Sequence, residues 1–186
     1  MELILNRPLQ WFVCQLHDNE LPLRHLFPHV DRTTKTCLTG EIRKSLAGCE
    51  KLSVVSSTPM EYTLCEVTNK KHLSSDQLYL MEISEVVNFS HCRESLSKIY
   101  PGKVCDSRWL RITNRILRFN VAHENSSEAL LTLTTFIAKV YASMWFKIKR
   151  KTKLIYEAQH LHQSIVLSRC FSNDLKDVID PVIKRN

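Results

Sequence analysis

The sequence predicts a mainly α-helical chain whose positive charge lies at its C-terminal end. Three observations predict this. Glycine is scarce, with three in 186 residues, whereas barrels and sandwiches need many tight turns. From residue 75 onward, apolar residues recur at helical spacing. Helix-start signatures stand in front of those stretches. An α+β arrangement stays open, because 52–56 and 62–67 carry the β-prone composition of short strands.

The chain reads as two parts. Residues 1–73 form an N-terminal segment of short helices and irregular chain, expected to be incomplete, and 74–186 form a basic helical unit. In the first part, Leu9, Trp11, Phe12, Val13 and Leu16 mark a helix over 9–20 that starts near Pro8. Pro22 is expected to break it, leaving a further turn or short helix over 23–30. A short helix is expected over 41–47. The rest of 31–74 is rich in Ser and Thr and reads as irregular, a long stretch for a compact domain.

In the second part, Ser74 and Gln77 form a capping box in sequence. Leu78, Leu80, Met81, Ile83, Val86 and Val87 follow as one apolar face, and Pro101-Gly102 marks a turn. Asp106 is the expected N-cap of a helix to Val121 with Trp109, Ile112, Ile116 and Phe119 on its apolar side. Ser126 or Ser127 caps the next helix, where Leu130, Leu133, Phe136, Ile137, Val140, Tyr141, Met144 and Trp145 fall at core spacing. Helices over 153–169 and 173–179 complete the reading, and Pro181 ends the last.

Charge divides the chain sharply. Residues 1–105 carry twelve Lys/Arg and twelve Asp/Glu, whereas 106–186 carry fourteen against seven, so the whole excess of +7 is local. A local excess makes a directional field, which says more about partners than a high isoelectric point does. Arg108, Arg111, Arg115 and Arg118, spaced three, four and three apart, share one face of a helix. Lys147, Lys149, Arg150, Lys151 and Lys153 follow the longest apolar-periodic stretch. Phosphate is the natural counter-charge for such clusters. A solvated helix face and a charged loop explain the same pattern without a ligand.

Other classes find little support. Seven cysteines at irregular spacings, with no leader in front of them, fit reduced thiols in a nuclear or cytoplasmic protein. In that setting the sequons at Asn88 and Asn125 are idle. Cys14, His17, His25 and His29 crowd four soft ligands into sixteen residues, but the two pairs stand too close for an ordinary zinc finger. His160, His162 and Cys170 suit a metal less well, so no metal and no cofactor are expected. Residues 129–146 mimic a membrane span with a basic flank. A lysine near its centre would cost roughly 2.5–3.5 kcal/mol there, so an amphipathic helix is the better reading. No glycine-rich phosphate loop, nucleophile elbow or acid/base pair of carboxylates stands out.

Two short motifs carry a resemblance. Cys14-Gln15-Leu16-His17, continued by Asn19-Glu20-Leu21-Pro22-Leu23-Arg24-His25-Leu26, resembles the Cys-x-x-His region of hAT-type transposase catalytic domains. Asp106-Ser107-Arg108-Trp109, continued to Phe119, resembles the Thr-Arg-Trp region of the same domains, in the same order. Over 9–26, 74–119, 136–146 and 174–186 the chain also resembles uncharacterised invertebrate proteins of mobile-element origin. The resemblance implies an RNase H-like fold interrupted by a helical insertion, here truncated, and two-metal phosphoryl transfer held by acidic residues.

This chain departs from that pattern. In such domains the first catalytic Asp precedes the Cys-x-x-His region. Here thirteen residues precede Cys14 and none is Asp. The last Glu lies beyond the helical insertion, where this sequence has ended, as a truncated reading frame would end. No catalytic triad can be placed, so no strand cleavage or transfer is expected. Cys14, His17 and Trp109 carry over as structural motif positions, and Arg108 with them. The expectation is a catalytically incomplete transposase-like fragment that binds DNA or RNA weakly, without sequence preference, through the basic helical part. A helical interaction module with acidic protein partners and a relic without function are the alternatives.

Overall fold

The computed structural model describes residues 15–31, 40–49, 59–60, 62, 70–90, 94–102, 109–123 and 125–150. Helices dominate them, and no strand occurs among them. The elements are α1 (Gln15–Val30), α2 (Glu41–Leu46), a 3-10 turn (Lys70–His72), α3 (Ser75–Phe89), α4 (Glu94–Ser97), α5 (Trp109–Val121), α6 (Glu128–Phe136), a π-helical segment (Ile137–Ala142) and α7 (Ser143–Arg150). The strands expected over 52–56 and 62–67, the Asp106 cap and the helices beyond 153 lie outside the described residues, apart from Tyr62.

One expectation is corrected at α1. Pro22 does not break the helix: α1 runs through both Pro22 and Pro28. An interior proline loses a backbone hydrogen bond and crowds the preceding turn, at a cost of about 3 kcal/mol. Leu23 and Leu26 are fully buried and Phe27 nearly so, one helical face at spacings of three and one. Burying each such side chain contributes about 1.5–3 kcal/mol, which offsets the proline.

The short α2 forms where sequence reading placed it, and its cap comes from a distance. Asp31 Oδ1 accepts the amide of Ile42 at 2.9 Å, and Oδ2 faces that of Arg43 at 3.4 Å. A carboxylate on these orphan amides satisfies donors that a six-residue helix cannot satisfy itself. Gly40 makes room for it, since a Cβ there would fall 1.8 Å from Asp31 Oδ2.

α3 starts in the predicted capping box, with the Ser74 amide donating to Gln77 Oε1 at 2.9 Å. Leu80, Met81, Ile83, Val86 and Val87 are buried, and Leu78 packs against the core edge. Ser90 ends the helix in the left-handed conformation, at φ 54°. Met60 and Tyr62 lie against the end of α3. The Met60 amide donates to Val87 O at 3.0 Å. Asn88 takes both backbone groups of Tyr62, its Oδ1 accepting from the amide and its Nδ2 donating to the carbonyl, each at 3.1 Å.

α6, the π segment and α7 run as one continuous helical rod, because the junction residues Phe136, Ile137 and Ser143 all keep right-handed helical geometry. Ser127 caps it, with its hydroxyl accepting the Leu130 amide at 3.3 Å. All eight residues expected in its core are buried. The π turn carries main-chain carbonyls out of regular helical pairing. Asn19 Nδ2 of α1 donates to Tyr141 O at 3.2 Å, and Ser143 Oγ donates to Ala138 O at 3.3 Å. By length and composition Glu128–Lys147 would suffice to cross a membrane, but 72% of that window is already buried inside the protein, against α1, α3 and α5.

α5 is the central helix, packed on α2, α3 and α6. From Ile112 to Val121 every residue except Phe119 is buried. Its polar residues are therefore interior residues, which decides how the arginines are read.

Candidate functional site

The arginine face of α5 points inward, not to solvent. Arg118 is 1% and Arg115 3% exposed, which corrects the expectation of a solvated or phosphate-facing row at those positions. Burying a charge costs several kcal/mol unless its donors find acceptors, and here main-chain carbonyls accept from both guanidinium groups. Arg115 Nε donates to Gly102 O at 2.8 Å, and Nη1 donates to Leu46 O, the last carbonyl of α2. Arg118 Nη2 donates to Ser97 O at 3.1 Å and Nη1 to Leu96 O at 3.4 Å, both at the end of α4. Tyr79 of α3 adds a hydroxyl 3.5 Å from Arg118 Nη1.

The final carbonyls of a helix lack intrahelical partners and carry the negative end of its dipole. Each buried arginine thus fastens the C-terminus of one short helix to α5. Arg111 does the same for α3 from the opposite sign: its Nε pairs with Asp76 Oδ2 at 2.9 Å, in the first turn of α3. Asn114 Nδ2 binds the carbonyl of that same Asp76 at 2.9 Å. Gly102 fits between Arg111 and Arg115, because a Cβ there would lie 2.7 Å from Arg111 Nε. Arg111 keeps about a quarter of its side chain exposed.

The remaining expected site residues are divided. Lys147 is half-buried on α7, and Lys149 and Arg150 end that helix. Arg108, Lys151, Lys153 and Cys14 lie outside the described residues, and His17 lies on α1. Trp109 opens α5 half-buried. Its ring stands edge-on to Phe27, with centroids 6.0 Å apart, under the Arg24 guanidinium at 5.6 Å. Arg24 also pairs with Glu20 at 3.1 Å one turn earlier. The two motif-bearing stretches therefore meet through Arg24 and Trp109.

Behind them lies the fully buried Tyr141. Burial pushes its hydroxyl well above the ordinary tyrosine value, the Glu20 charge adds to the effect, and Thr113 and Arg24 oppose it. Buried Cys49 brings its Sγ within 3.8 Å of Arg115 Nη1. Among the described residues no three His, Cys, Asp or Glu side chains gather as metal ligands, and His25 and His29 are exposed on α1.

Sequence reading missed three working residues: Asp31, Asn88 and Asn19. Each is a short polar side chain whose partner lies 11, 26 or 122 residues away, so nothing local in the sequence marks it.

Fold and site together define a helical unit around a central helix that three arginines tie to its neighbours. No family model, curated protein or solved structure matches the chain.

Proposed function

We propose that the chain is a transposase-like helical unit that binds nucleic acid weakly and without sequence preference. Its contact is the run Lys147, Lys149, Arg150, Lys151 and Lys153 at and beyond the end of α7. The carrying observation is the commitment of Arg111, Arg115 and Arg118 to internal partners, which leaves five cations within seven residues as the densest basic group. In this reading the basic helical part over 74–186 corresponds to the helical insertion of an RNase H-like domain. The setting is the nucleus or cytoplasm, where seven thiols stay reduced.

Phosphate contacts release counterions, so log K should fall with log salt by about 0.9 for each phosphate neutralised on duplex DNA. Titrating labelled duplex and single-stranded DNA at two salt concentrations tests the reading. A slope of about 3–5 that flattens when Lys149, Arg150 and Lys151 become Gln supports it. No binding at low salt overturns it. Tighter binding of polyglutamate than of DNA would transfer the same surface to an acidic protein partner.

A further inference from the structure

The outward face of α1 carries a pair of histidines, far in sequence from the basic run. His25 and His29 stand four residues apart, and both are exposed. Leu23, Leu26 and Phe27 of the same helix are buried, so the two rings leave from the side turned away from the core. α1 runs unbroken from Gln15 to Val30. Positions four apart on a helix lie one above the other, with Cβ atoms roughly 5–6 Å apart. At this spacing a helix offers two imidazoles to one zinc ion. With Cys14 and His17 the same residues make no ordinary finger. Folded into α1, they pair with each other instead.

Two features of the surroundings favour a cation there. His29 lies in the last turn of α1, where the helix dipole presents its negative end. Arg24, the cation next in sequence, is drawn aside: its guanidinium pairs with Glu20 at 3.1 Å and lies over the Trp109 ring at 5.6 Å. A third feature gives binding a consequence. Pro28 has no amide to donate, so the turn that the pair spans lacks one main-chain hydrogen bond. A metal bridging His25 and His29 ties that turn from outside. The Asp31 carboxylate, two residues on, is committed to the amides of Ile42 and Arg43 and adds no ligand.

We propose that His25 and His29 form a zinc site on the surface of α1. Each ring gives one nitrogen and keeps the other for a second partner, and water completes the four-coordinate shell. With two protein ligands the ion is exchangeable rather than a permanent structural centre. Its ring pair exists only in the helix, so binding stabilises the end of α1 by mass action.

The test uses the full chain and zinc chloride, read at single residues by nuclear magnetic resonance. Zinc should shift the His25 and His29 ring signals together, with one midpoint, and should slow amide exchange in the last turn of α1. Magnesium at the same concentration should do neither, since it takes oxygen ligands. His25→Gln and His29→Gln change exposed side chains, and each should keep the urea midpoint of the metal-free chain. Each should weaken zinc binding at the remaining ring by about tenfold or more, since losing even an outer-shell partner costs roughly 10–100-fold.

The wild-type titration decides without any variant. Zinc uptake that leaves both rings unmoved assigns the ion to thiols or histidines elsewhere and overturns the site. An equal response to magnesium would mean plain charge attraction and overturns it too. Undiminished affinity at one ring after the other is replaced overturns the pairing.

Discussion

Arg115 donates from inside the protein to the carbonyl of Leu46, the residue that ends α2, 69 positions earlier in the chain. The same guanidinium reaches Gly102 O, which lies between α4 and α5. One side chain thus joins three distant stretches, with α5 as the hub. Arg118 repeats the device one turn later on the end of α4, and Arg111 repeats it one turn earlier on the start of α3. A row of arginines at helical spacing becomes a set of fasteners, because each short helix offers carbonyls or a carboxylate at the height of one turn.

The fasteners differ in depth, and their removal should differ accordingly. Arg118→Met leaves the Leu96 and Ser97 carbonyls facing an apolar side chain. At about 1–3 kcal/mol for each group left unsatisfied, urea unfolding should show a loss of about 3 kcal/mol. Arg118→Lys should recover part of it by donating to one carbonyl. Arg111→Ala removes a pair exposed by about a quarter on each side, and exposed pairs contribute roughly 0–1 kcal/mol. Equal losses at the two positions would contradict the inward orientation of the row.

How far the sequence spoke can be judged at particular residues. The capping box at Ser74 and Gln77, the Ser127 cap and all eight core positions of the 128–146 rod were legible, because capping and apolar periodicity act within one or two helical turns. The face shared by Arg111, Arg115 and Arg118 was also legible. Its direction was not, since periodicity groups residues on a side without saying what that side meets. Here it meets the ends of α2 and α4, helices of six and four residues whose carbonyls become partners only in the folded chain. Pro22 misled for the opposite reason: a strong local rule lost to the burial of Leu23, Leu26 and Phe27.

Asp31 and Gly40 should behave as a coupled pair. Gly40→Ala drives a methyl group into the Asp31 carboxylate and should cost about 1–2 kcal/mol through the lost cap. Asp31→Ala should cost about 1 kcal/mol for the same reason. The double variant should cost clearly less than the two added, because the methyl group then has nothing to displace. Additive losses in a double-mutant cycle would separate the two residues.

Protonation of Asp31 gives a signed pH dependence. Burial, working against the Ile42 and Arg43 amides and the Arg43 charge, raises its carboxyl above the ordinary value of 3.8. The folded chain therefore holds this proton more tightly than the unfolded chain, and the resulting stabilisation is complete below 3.8. It is lost as pH rises from there through the folded-state value. Measured against Asp31→Asn, which does not titrate, the wild-type advantage should shrink across that window and stay constant above it. An advantage that grows with pH would mean that the helix amides outweigh burial at this carboxylate.

Asn19 tests whether the π turn depends on α1. Its Nδ2 is the donor found for Tyr141 O, a carbonyl buried inside the π segment. Asn19→Leu fills a similar space but offers no donor, so the hydrogen bond to Tyr141 O is lost at a cost of about 0.5–1.5 kcal/mol. Relaxation of Ile137–Ala142 into a regular α-turn would rotate Trp145 and Phe146 of α7 away from their present packing. Their rings now meet edge to face, with centroids 5.3 Å apart. Near-ultraviolet circular dichroism reports on that aromatic packing and urea unfolding on the stability. The variant should lose stability with its near-ultraviolet spectrum unchanged. A changed spectrum at full stability would show that the π turn is held by Asn19 alone and relaxes freely without it.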